Sequence, residues 1–172
     1  MPDFFLGKPL PQSGFPPDTE EKQKKLGEFF GGPAKSDDNA KKVPELIKEI
    51  EKQCSGIKKW GSLGMCWAGK IVSLTAQSGT NFSAAAEVHP AMLDPADAKG
   101  IKIPLCMLAS GDEDVEAVKQ FEAGLSAPKH VETFNDQIHG WMAARGDLEN
   151  EKVKKEYERG YQVLLDFYHK HL

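Results

Sequence analysis

Hydrophobic positions along the chain change period, and the changes divide it into elements. Residues 1–19 carry Pro2, Gly7, Pro9, Pro11, Gly14, Pro16 and Pro17, so they read as loop, packed down by Phe4, Phe5 and Phe15. Asp18-Thr19-Glu20-Glu21 marks a helix start with an acidic first turn, and the helix runs to about Phe30, before Gly31-Gly32-Pro33. A polar loop, 34–39, leads to a second helix with Val43, Leu46, Ile47 and Ile50 on one face. A short mixed strand ends near Leu63, and a helix covers about Ala68 to Gln77. Phe82–Val88 is a strand of small residues, and Ile103–Ala109 is a continuous apolar run, as in a strand covered on both faces. Val115–Leu125 reads as helix and Lys129–Phe134 as the last strand. Glu151–His169 is a long helix whose Val153, Tyr157, Tyr161, Leu164, Leu165 and Tyr168 recur three or four apart and give it one docking side.

Strands alternating with helices predict an α/β fold with a mostly parallel sheet and helices on both faces. Functional groups in such sheets lie at the carboxyl ends of the strands. The 172 residues fit one domain spanning 1–172. A net charge of −4, with most lysines beside acidic residues, argues against nucleic acid or an anionic membrane as partner. No apolar run approaches the roughly 20 residues of a membrane span. Three cysteines without paired spacing read as reduced thiols of a cytoplasmic protein, with Cys54 and Cys106 in structural roles. No metal-ligand spacing occurs, and no cofactor is implied.

Gly64-Met65-Cys66-Trp67-Ala68-Gly69 stands between a strand and a helix. A reactive residue flanked two positions away by small ones is the layout of a nucleophile elbow, a turn too tight for bulk there. Cys66 would be the nucleophile, activated by the helix N-terminus and by a base, because a free thiol has a pKa of about 8.5. An imidazole base needs a carboxylate to fix its tautomer. Cys66, Asp114 and His139 follow three different strands in the order nucleophile, acid, histidine, with Asp112 the competing acid. The Trp67 N–H is a candidate oxyanion donor. His130, His169 and His171 are expected to face solvent.

Four segments carry a family resemblance. Pro2-Asp3-Phe4-Phe5 with Phe15-Pro16-Pro17-Asp18-Thr19, Gly64–Lys70, Gly111-Asp112-Glu113-Asp114 and His139-Gly140-Trp141 resemble, in order, a loop, the elbow, the acid motif and the histidine motif of the fungal-type dienelactone hydrolases, carboxymethylenebutenolidase-like enzymes. The resemblance implies an α/β-hydrolase fold and hydrolysis of a small lactone or carboxylic ester through a cysteine acyl-enzyme, with the triad on Cys66, Asp114 and His139. Phe5, Lys8, Arg145, His89 after a strand and Trp141 beside the proposed base are candidate pocket residues, and the anionic substrates that the resemblance implies would meet Lys8 and Arg145. The resemblance also implies strands ahead of Pro2, so that the domain is incomplete at its N-terminus and an exposed sheet edge makes a homodimer a candidate assembly. A second reading is a catalytically impaired α/β-hydrolase that acts as a binding or interaction protein. A third, a glutamine-amidotransferase-like domain, fits less well, because here the acid precedes the histidine.

Overall fold

The computed structural model describes residues 1–172. The chain divides into two compact units, Met1–Gln53 and Cys54–Leu172.

The first unit is helical. Helix α1 (Glu20–Gly31) begins where the sequence predicts, with the Thr19 hydroxyl accepting the Lys22 N–H. Phe5 packs on Phe29 of α1, ring centroids 5.0 Å apart. The segment read as a polar loop holds a short helix instead, α2 (Ser36–Ala40). Asn39 is the reason. Its buried amide donates to the Pro33 and Lys35 carbonyls at 2.9 Å, and its oxygen accepts from Lys42. A polar residue fully satisfied inside is invisible to a hydrophobicity pattern. Helix α3 (Val43–Gln53) follows, and of its apolar positions Ile47 is buried while Ile50 is exposed.

The second unit is a four-stranded, wholly parallel sheet: β1 (Gly61–Met65), β2 (Ala84–Val88), β3 (Leu105–Ser110) and β4 (Lys129–Phe134), paired in chain order. Helix α4 (Trp67–Thr75) follows β1, α5 (Val115–Gly124) follows β3 and α6 (Glu151–His171) follows β4. The central strands β2 and β3 alternate between two cores. Ala85, Leu105, Met107 and Ala109 meet Val72 and Ala76 of the α4 segment and Val118 and Phe121 of α5. Ala84, Ala86, Val88, Cys106 and Leu108 meet Trp141, Met142, and Leu164 and Phe167 of α6. The sheet is therefore covered on both faces, which is why β2 and β3 are buried at every position.

Helix α6 docks by the side its apolar spacing suggests, with Leu164 buried and Tyr157 and Tyr168 packed on the core, but departs from it at Tyr161 and Leu165. Leu165 is exposed, while Gly160, Leu164 and Phe167 are buried. A Cβ on Gly160 would lie 2.6 Å from the Met142 sulfur and 2.7 Å from the Trp141 ring, so a missing side chain, not an apolar one, sets the approach. No helix is long and apolar enough to cross a membrane.

Candidate active site

The carboxyl ends of β1, β3 and β4 lie along one edge of the sheet, and they bring together Cys66, the turn 111–114 and His139. Cys66 sits between β1 and α4 at φ 54°, ψ −121°, a conformation disfavoured for any residue with a Cβ. Its N–H donates to Val88 O at 3.1 Å, and its carbonyl accepts from Gly69 and Ala91 at 3.0 Å. The turn needs its small neighbours. A Cβ on Gly64 would lie 2.1 Å from the Ala68 carbonyl oxygen, and one on Gly69 would lie 2.8 Å from Pro90 Cβ.

His139 is held from three sides. Its backbone N–H donates to Asp112 Oδ2 at 2.7 Å, its carbonyl accepts from the Arg145 guanidinium at 3.0 Å, and its Nδ1 meets Glu113 Oε1 at 2.7 Å. The Cys66 thiol is the other partner that bears on the His139 ring, each favouring the charged form of the other.

The acid on His139 is therefore Glu113, not Asp114. Asp114 is the N-cap of α5, its Oδ1 accepting the Ala117 N–H at 2.6 Å, so its carboxylate is turned back onto its own helix. Glu113 is missing from the sequence-derived candidates, yet a signal for it exists. An Asp directly before a helix start is first of all a cap, and removing Asp114 on that ground leaves Glu113 beside Asp112. The second Glu113 oxygen accepts the Ser110 N–H.

The electrostatics follow from these contacts. Burial pushes the Cys66 thiol up, but the His139 hydrogen bond and charge and the Trp67 N–H outweigh it and leave the thiol below its ordinary value. The hydrogen bonds to Cys66 and Glu113 raise His139 to about 10, against its partial burial. Burial raises Glu113, and the bonds from His139 and Ser110 reverse that to a net lowering. All three shifts favour a thiolate–imidazolium pair braced by a carboxylate. Cys106 is pushed the other way, to about 12, by burial and Glu132, and Cys54 is exposed on the surface.

The remaining candidates separate. The Trp67 N–H acts on the Cys66 thiol, lowering it, and so lies close to the sulfur. Trp141 is not a pocket residue. It is fully buried, against Phe134 at 4.5 Å and under α6. His89 has no exposed surface either, and its ring lies edge-on to His139 with centroids 5.0 Å apart. Arg145 is exposed next to His139. Phe5 and Lys8 belong to the first unit, where the Lys8 N–H donates to Phe5 O. No group of three or more His, Cys, Asp or Glu could hold a metal ion.

Comparison with known proteins bears on the family and the fold. The sequence profile of the dienelactone hydrolase family matches residues 1–172. Two fission yeast (Schizosaccharomyces pombe) proteins described as uncharacterized AIM2 family members are 34% and 35% identical, each over 98% of this chain and 69% of the relative. A dienelactone hydrolase-like promiscuous phosphotriesterase from metagenomic libraries superimposes with a TM-score of 0.60 at 14% identity, over 90% of this chain and 69% of that one. Likeness at that identity speaks to the fold alone, which is the α/β-hydrolase fold.

Proposed function

The chain belongs to the dienelactone hydrolase family, and from that premise we propose that it hydrolyses a small lactone or carboxylic ester through an acyl-enzyme on Cys66. The observation that carries the reading is the ion pair of His139 Nδ1 with Glu113, together with Cys66 on a strained elbow at a helix N-terminus, its thiol lowered by His139.

The Cys66 thiolate attacks the ester carbonyl carbon and forms a carbon–sulfur bond, while the carbonyl electron pair moves onto oxygen. The Trp67 N–H supports that oxyanion. Collapse expels the leaving oxygen, which takes its proton from the imidazolium of His139. In a lactone the leaving group stays tethered to the acyl portion. Neutral His139 then takes a proton from water, the resulting hydroxide attacks the thioester, and collapse returns the thiolate and a carboxylic acid. Glu113 holds Nδ1 as the donor to itself, keeping Nε2 toward sulfur through both halves. Arg145, exposed beside His139, is suited to a carboxylate on the acid portion of a substrate.

Mixing with p-nitrophenyl acetate tests the reading. The full chain is expected to release a stoichiometric burst of nitrophenol and to carry an acetyl group on the peptide containing Cys66, and Cys66→Ala to lose both. Turnover that survives in Cys66→Ala moves the nucleophile elsewhere. A wild-type chain with neither burst nor adduct is instead a binding protein built on a hydrolase scaffold.

A further inference from the structure

His89 combines two costs in one residue. It stands just past β2 at φ 37°, in the left-handed region that non-glycine residues seldom adopt. It is also fully buried, and neither ring nitrogen has a hydrogen-bond partner. An unpartnered polar group inside a protein costs about 1 to 3 kcal/mol, and an apolar side chain would avoid that cost. Backbone strain and orphaned polar atoms of this kind concentrate at functional sites.

The backbone around His89 is fixed to the elbow. The carbonyl before it, of Val88, accepts the Cys66 N–H, and the amide two residues after it, of Ala91, donates to the Cys66 carbonyl. Its own N–H donates to Leu108 O at 2.7 Å. The ring so held meets His139 at a centroid distance of 5.0 Å and an interplanar angle of 62°. That is a tilted, edge-type packing of two rings, an arrangement that aromatic pairs prefer.

We infer that His89 is a positioning residue for the reaction proposed above, a neutral aromatic brace that holds His139 toward Cys66. The brace requires His89 to stay uncharged. Burial and the charge of His139 press it down to about 4, with Glu113 opposing, so it is neutral wherever the thiolate–imidazolium pair exists. The groups that bear on its charge are His139 from the segment after β4 and Glu113 from the turn after β3, and Cys66 on the elbow completes the set through His139. The contact is one of ring packing and needs no hydrogen bond from either nitrogen.

Two substitutions of similar bulk isolate the aromatic ring. His89→Phe keeps a ring and His89→Leu does not. The readout is the pH midpoint of Cys66 alkylation by iodoacetamide, located by peptide mass spectrometry, which requires no substrate and so is independent of the hydrolase reading. His89→Phe is expected to keep the wild-type midpoint. His89→Leu is expected to raise it by about half to one pH unit, and to lower kcat severalfold on p-nitrophenyl acetate with KM unchanged. A Leu variant with the wild-type midpoint overturns the inference, and so do Phe and Leu variants shifted alike. Failure of the hydrolase reading looks different, with the midpoint responding to His89 while no acyl adduct forms.

Discussion

Three carboxylates follow one another at residues 112–114, and each is directed differently. Asp112 fixes the backbone of His139, Glu113 meets its ring, and Asp114 caps a helix. Side-chain length and the turn decide which does which, and neither is encoded in the order nucleophile, acid, histidine. That order led to Asp114. Capping chemistry at the start of α5 corrects it, because a carboxylate that accepts its own helix N–H is not free for an imidazole across the site. The two carboxylates separate experimentally. Glu113→Gln, nearly isosteric, is expected to lower kcat on an activated ester by about 10² to 10⁴, as loss of the acid usually does when the tautomer is no longer fixed. Asp114→Ala is expected to cost about 1 kcal/mol in urea denaturation and leave kcat within twofold. The reverse pattern would return the acid to Asp114.

The elbow, β1 with α4, was the most legible element, because its constraint is steric and steric constraints leave small residues behind. Gly64 and Gly69 each sit where a Cβ has no room. Gly64→Ala forces a methyl to within 2.1 Å of the Ala68 carbonyl and must open the turn. The expected result is a loss of roughly 3 kcal/mol or more, in the range of severe core disruption, read as a lower urea midpoint, with slowed Cys66 alkylation at neutral pH. Unchanged stability would mean that the turn relaxes more readily than its contacts allow. Strand β3 and the helices α3 and α6 were legible for a related reason, since each carries a period or a continuous apolar run. Helix α2 and the closest approach of α6 were not. The first is held by the satisfied amide of Asn39 and the second by the absence of a side chain at Gly160. Period-reading registers only apolar side chains. His89 was legible as a residue near the site, but its burial against His139 depends on a left-handed turn that no spacing announces.

At the scale of the whole unit, the sheet separates two cores, and one carries a buried acid. Glu87 of β2 lies between Gly64 and Met107 in register and is fully buried, one oxygen accepting the Ser73 hydroxyl of α4 at 2.6 Å and the other without a partner. Burial raises it to about 8, helped by Asp97 and opposed by the Ser73 bond and Lys70. Its ordinary value is 4.5. Between those values the native protein retains a proton that the unfolded chain releases, so native binds more protons than unfolded and stability falls as pH rises. Below 4.5 both states are protonated and the penalty vanishes. Glu87→Gln keeps an oxygen for Ser73 and removes the titration. Relative to wild type it is expected to gain on the order of 2 kcal/mol at pH 7.5 and much less at pH 5. Thermal melts of the two proteins from pH 5 to 8 check this. Groups that both share, the Cys66–His139 pair included, cancel in the difference, so the gap between the curves reports Glu87 alone. A gap that widens with pH places a neutral carboxylic acid in the core beneath α4, and a constant gap would show that Glu87 is already charged there.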